Sequence, residues 1–148
     1  MSLPLIHSVA RLCKAPAEQA FRHLTEVKGM ARWCLGMFET RELEAGLMTG
    51  RSLFSGARVY ARLACDQPQL RVDYSVGAST ETLLPWIHAQ VTRGPDLGYD
   101  TGHCLIALWA NRPQSMADGN WERVMRTHET EIDLIAQQLE ADAAGLRA

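Results

Sequence analysis

Residues 121–139 read WERVMRTHETEIDLIAQQL, and the placement of apolar side chains in this stretch decides the fold. Trp121, Met125, His128, Ile132, Ile135 and Leu139 recur at steps of three and four. At about 3.6 residues per turn that spacing stacks them on one side of an α-helix. Glu122, Arg123, Arg126, Glu129, Asp133 and Gln137 take the opposite face, as a half-solvated helix requires. Pro113 closes the preceding region, Ser115 or a neighbour is a candidate cap, and Gly145 is a stop signal. The spacing therefore predicts one long helix over residues 115–143. Most of the stability of such a helix comes from packing its stripe, so a large apolar surface must lie against it.

The preceding segment supplies that surface. Residues 37–111 read as short strands separated by turn residues. Gly46 and Gly50 bracket a connection between strands at 38–45 and 51–54. Val59, Ala61, Leu63 and Cys65 alternate with Tyr60 and Arg62, and Val72, Tyr74 and Val76 alternate with Arg71, Asp73 and Ser75. Between them Pro68 fixes φ and marks a turn. Ile87, Ala89 and Val91 alternate with Trp86, His88 and Gln90, which places Trp86 and His88 outward. Residues 94–98 (GPDLG) are turn chemistry, and residues 104–110 (CLIALWA) are apolar on both faces, as for a strand covered twice.

Ahead of these strands, residues 5–12 alternate as a first strand. Pro16 and Glu18 open a helix whose buried face is Ala17, Ala20, Phe21 and Leu24. Gly29 interrupts, and a short second helix carries Met30, Trp33 and Cys34. Consecutive strands joined by tight turns pair as an antiparallel meander. The expected class is thus α+β: a curved antiparallel sheet of six or seven strands around a long C-terminal helix, with two short helices after the first strand. All 148 residues are expected in one domain.

Three local features fit a known pattern: Ala15-Pro16-Ala17-Glu18 directly after the first strand, Trp33 in the second helix, and Asn111-Arg112-Pro113 before the last. With the element order, they resemble the START-like superfamily, also called SRPBCC or birch-pollen-allergen-like, and within it the polyketide cyclase/dehydrase and lipid-transport-like group. The resemblance runs from about Leu5 to Leu139. It implies a helix-grip fold with a cavity between the concave sheet and the long helix, in a group whose members bind lipids, sterols, polyketides or other apolar molecules and some of which catalyse cyclisation or dehydration. The glycine-rich loop of the plant members is not reproduced, since residues 46–50 read GLMTG, so plant ligand preferences do not carry over.

Composition narrows the partners. A net charge of -2, with Arg51, Arg58, Arg62, Arg71 and Arg93 scattered among apolar residues, argues against a nucleic-acid binder. No apolar run reaches the length of a membrane helix, and the N-terminus lacks a signal-peptide pattern. Cys13, Cys34, Cys65 and Cys104 are widely spaced without a C-x-x-C motif, which points away from zinc or a redox dithiol and towards a reducing cytoplasm. The hydrolase, zinc-peptidase and phosphate-loop signatures do not occur, so no catalytic residue, metal ligand or cofactor is assigned.

The candidate ligand-binding residues are Trp33, Met37, Tyr74, Ile87, Ala89, Met125 and His128. His128 interrupts the apolar stripe, where an imidazole can act as acid, base or ligand hydrogen-bonder, or sit as a core histidine satisfied by a carbonyl or water. Tyr74 can orient a ligand carbonyl or hydroxyl, or be a core tyrosine whose hydroxyl reaches the surface. Trp33 and Met37 either gate the cavity mouth or plug it, and Met125 fills core or pocket equally well. His7 and His23 have no partner legible from spacing, and His103 reads as a loop residue. The expected function is binding or transport of a small apolar ligand. The alternatives are a polyketide aromatase/cyclase or dehydratase and a protein-interaction module; oligomeric state is not legible.

Overall fold

The computed structural model describes residues 2–145. A first strand, β1 (Ile6–Cys13), leads into α1 (Ala17–Thr25) and α2 (Val27–Trp33). Six strands follow: β2 (Phe38–Glu44), β3 (Leu47–Arg51), β4 (Arg58–Asp66), β5 (Arg71–Gly77), β6 (Leu84–Arg93) and β7 (Cys104–Asn111). A single turn of 3-10 helix (Gly94–Leu97) precedes β7, and α3 (Asp118–Ala143) comes last. The strands form one antiparallel sheet in the order β1-β7-β6-β5-β4-β3-β2. It is a meander from β2 to β7 with the first strand added beside the last, curved around α3. This is the helix-grip arrangement expected from the sequence.

The stripe of α3 explains the grip. Trp121, Ile132, Ile135 and Leu139 are fully buried, each worth about 1.5–3 kcal/mol of transfer free energy. Polar contacts fix the helix against β1 and its ends: Arg11 pairs with Asp133 at 2.8 Å, and the Lys14 amide donates to Glu140 at 2.9 Å. The Trp121 indole donates to the Pro4 carbonyl at 2.7 Å. Strand β7 lies between β1 and β6, with Cys104, Ile106, Leu108 and Ala110 buried on the inner face. Its outer face is covered too, because Trp109 lies under the Arg71 guanidinium and against the His88 ring. That double cover is why the strand is apolar throughout.

Several local expectations are corrected. Gly29 does not interrupt a helix; it lies inside α2, and the break falls at Glu26, whose extended backbone separates α1 from α2. The glycine is there for close approach, since a Cβ would sit 2.4 Å from the His23 carbonyl oxygen. The β2–β3 turn rests on Gly46 alone (φ 78°), and β3 is Leu47–Arg51 rather than 51–54. Gly50 is a strand residue whose missing side chain leaves room for Met37, as a Cβ would stand 2.3 Å from Met37 Cγ. Ser115 does not cap α3, which starts after Ala117 without a side-chain cap. Arg112 instead bridges the Met116 carbonyl and the Asp118 carboxylate, both at 2.7 Å. Cys65 is exposed near the β4–β5 turn, beyond the reach of the core. Cys13 and Cys104, far apart in sequence, are directly opposed partners of β1 and β7, both buried and free. Among the described residues no helix is long and apolar enough to cross a membrane.

Candidate functional site: an apolar cavity with a buried acid

A cavity of about 430 Å³ lies between the inner face of β4–β7, α2 and the first half of α3. Ala61, Tyr74, Val76, Ile87 and Leu108 line it from four strands, while Met30, Trp33 and Met37 line it from α2 and the segment beyond. The loop 52–57 stands at the rim. It is held by its own turn, with Ser52 Oγ accepting the amides of Phe54 and Ser55 at 3.2 and 3.3 Å. Phe54 is half exposed, and the Arg123 guanidinium stacks over its ring at 5.1 Å, closing one side of the mouth.

Of the candidate residues, Trp33, Met37, Tyr74, Ile87 and His128 meet on this lining, and two do not. Ala89 is fully buried in the sheet core beyond the cavity. Met125 is half-buried and off the lining because the cavity faces a different side of α3 from the stripe. The wall carries Asn120, Val124, Thr127 and Glu131. At about 100° per residue this set is centred roughly 90° from the stripe, with His128 shared between the two. Trp86, expected outward, also lines the cavity. The ladder pairs Tyr74 with Ile87 but Val76 with Leu84, so β6 holds one extra residue there. A bulge of that kind re-aims side chains and breaks simple alternation.

The tryptophan and tyrosine are anchored away from any ligand. Trp33 donates its indole N–H to the His23 carbonyl at 2.9 Å, so only its ring is offered to the cavity. The Tyr74 hydroxyl donates to the Leu24 carbonyl at 2.5 Å instead of reaching the surface, and burial pushes its ionisation well above the usual range. A phenol tied and buried in this way is a wall, not a proton shuttle.

Glu131 is the residue the sequence reading missed. The spacing argument placed it on neither face of α3, yet it is 4% exposed. Oε2 accepts the Leu35 amide at 2.8 Å, and Oε1 lies 3.9 Å from His128 Nε2. Burial raises the carboxyl to about 8, although the Leu35 and Gly36 amides pull it back. Burial also lowers His128 to about 4, with the nearby His7 of β1 adding to the effect. At neutral pH a protonated acid therefore faces a neutral imidazole, and the contact is not an ion pair. His128 Nδ1 is buried without a hydrogen-bond partner. The one available signal was helical phase: Glu131 stands three residues after His128 and beside Ile132, on the shoulder of the stripe.

The remaining histidines sit elsewhere. His88 packs on the outer sheet face, its Nδ1 2.5 Å from Asp73 and its Nε2 3.2 Å from the Asn111 amide. Against the upward push of burial, hydrogen bonds from His88 and Arg71 hold the Asp73 carboxyl below its ordinary value. His7 lies 3.7 Å from Glu129, His23 bonds Gln138 at 2.8 Å, and His103 bonds Asp100 at 2.8 Å. Among the described residues no group of three or more histidine, cysteine or acidic side chains is placed to hold a metal ion.

No family model and no curated protein matches the chain. Solved structures do. The Zhui aromatase/cyclase from Streptomyces sp. R1128 superposes with a TM-score of 0.71 at 16% identity, covering 95% of this chain and 97% of that one. The Aha1 dimer from Colwellia psychrerythraea gives 0.67 at 14% identity, covering 93% and 97%. Ara h 8.0201 gives 0.58 at 10% identity, covering 90% and 97%. Identities this low speak for architecture alone, and together with the sheet order and the gripped helix they establish that the chain has the START-like (SRPBCC) fold.

Proposed function

We propose that the protein binds or carries a small, largely apolar molecule in the cavity between its sheet and α3. The observation that carries this is the cavity itself: about 430 Å³, walled mainly by aliphatic, aromatic and methionine side chains, with few inward polar groups. A pocket of that volume and lining suits a drug-sized apolar ligand. The reading takes residues 1–148 as one START-like domain in a reducing cytoplasm, with a small molecule and not a nucleic acid as its partner. Titrating the purified protein with a panel of lipids and aromatic polyketides tests it. Saturable binding that Val59→Trp abolishes by filling the cavity is expected. No saturable binding across the panel, or binding untouched by the filled cavity, overturns the reading.

One observation favours a second reading, an aromatase/cyclase or dehydratase. Glu131 and His128 form an acid–base couple inside the cavity, and a protonated carboxyl can deliver a proton to a bound carbonyl or leaving hydroxyl. Turnover of a model polyketide that Glu131→Gln reduces at least a hundredfold would support it, and unchanged turnover would remove Glu131 from the chemistry.

A further inference from the structure

The cavity has a polarity of its own. Its floor and walls are apolar, yet a carboxyl group opens onto it with one oxygen bonded to the Leu35 amide and the other 3.9 Å from a neutral imidazole. Among the described residues no lysine or arginine lies within ion-pairing distance of that carboxyl. The one cation on the lining, Arg123, is at the rim over Phe54. Beside the acid, His128 Nδ1 is buried and makes no hydrogen bond. A buried carboxyl without a cation has no partner for its ionised form, and a desolvated charge gains most when it is paired.

We propose that the preferred ligands are apolar molecules bearing one basic amine, with the ammonium seated against Glu131 Oε1 and the hydrocarbon or aromatic body filling the space lined by Trp33, Met37, Val76 and Leu108. An ammonium brings the missing charge and three donors to Glu131 Oε1. A hydroxyl brings one donor and no charge. A carboxylate brings a second acid to a site that has no cation for the first. The expected order of affinity is therefore amine, then alcohol, then acid.

Binding an ammonium ionises Glu131 and expels its proton, so affinity for the amine rises with pH until the free protein has lost that proton. The groups facing Glu131 do not share this transition. His128 is already neutral, and burial pushes the Cys34 thiol and the Tyr74 phenol upward. His7 lies near His128 from β1, outside the lining.

This proposal rests on the carrier reading, and one experiment separates the two. Naphthylmethylamine, naphthylmethanol and naphthoic acid share one aromatic body and are titrated by calorimetry into wild type and Glu131→Gln at pH 6, 7 and 8. Wild type should bind the amine most tightly at pH 8, with affinity rising about tenfold per pH unit between pH 6 and 7 for one proton released. Glu131→Gln should hold the amine no better than the alcohol, without that rise, while equal affinity of the two proteins for 1-methylnaphthalene, which carries no polar group for residue 131, shows an intact cavity. Naphthoic acid binding as tightly as the amine, or an amine preference that survives in Glu131→Gln, overturns the proposal and leaves the carrier reading standing. Failure of all three to bind overturns the proposal, and the carrier reading falls with it only where the lipid and polyketide panel also shows no saturable binding.

Discussion

Replacing Glu131 by glutamine should make the protein more stable at neutral pH and leave it unchanged in acid. The folded chain keeps the Glu131 proton up to about 8, against an ordinary value of 4.5. A raised carboxyl contributes fully below the lower value, and that contribution is lost as pH climbs from 4.5 towards 8. At pH 7 nearly 2.5 of those units have been traversed, and at 1.36 kcal/mol each the fold carries a cost of about 3 kcal/mol. Glutamine keeps the length and the oxygen that accepts the Leu35 amide, but has no proton to hold. The variant should thus gain about 3 kcal/mol at pH 7, a rise in Tm of roughly 10 °C for a chain of this size, and almost nothing at pH 4.5. Urea titrations of both proteins at pH 4.5, 5.5, 7 and 8 read the difference directly. His128 works in the opposite sense: its lowered ionisation means stability is lost as pH falls from 6.5 towards 4. The two slopes cancel between about 6.5 and 4.5 in wild type, whereas Glu131→Gln should show a declining limb throughout that window. A variant no more stable than wild type at pH 7 refutes the argument, as does a gain of equal size at pH 4.5.

Other substitutions probe separate links. Gly29→Ala should destabilise by several kcal/mol, although helix propensity alone predicts a gain of about 0.5–1 kcal/mol, because the added Cβ meets the His23 carbonyl at 2.4 Å; thermal denaturation reports the sign. Tyr74→Phe removes the donor to the Leu24 carbonyl and leaves a buried acceptor, costing about 1–3 kcal/mol in urea unfolding. Phe54→Ala removes the ring under Arg123 at the cavity rim, so stopped-flow traces with a bound fluorescent ligand should show faster dissociation with little change in fold stability.

The parts of this molecule written in periodic form were legible. The stripe from Trp121 to Leu139 fixed α3, and the alternations around Ala61, Tyr74 and Ala89 fixed three central strands, because burial on one face repeats at the helix or strand period. What escaped were features that depend on a single residue in three dimensions. The extra residue in β6 turned Trp86 inward, and no local pattern announces a bulge. Gly29 looked like a helix break, since its reason lies in a carbonyl contributed by another helix. Glu131 was hidden for a different cause: a carboxylate among acidic and threonine neighbours reads as solvated until the curvature of the sheet is known.

That curvature also explains why the cavity stops where it does. The C-terminal half of α3 is sealed, with Ile132, Ile135 and Leu139 in the core, Gln138 bonded to His23 and to the Arg32 carbonyl, and Asp142 paired with Arg32. The N-terminal half presents Asn120, Val124 and Thr127 to open space and meets the opposite rim through Arg123 and Phe54. Glu131 stands at the seam between these halves, and its two oxygens divide the same way. One is structural, accepting the Leu35 amide in the segment after α2; the other lies 3.9 Å from His128 Nε2. Glutamine serves the first purpose as well as glutamate does. If anchoring Leu35 were the whole role of residue 131, Glu131→Gln would gain stability and change nothing in ligand choice. A variant that gains stability while losing the preference for amines would show that the carboxyl is there for the ligand, kept in the fold at a cost that a bound cation offsets.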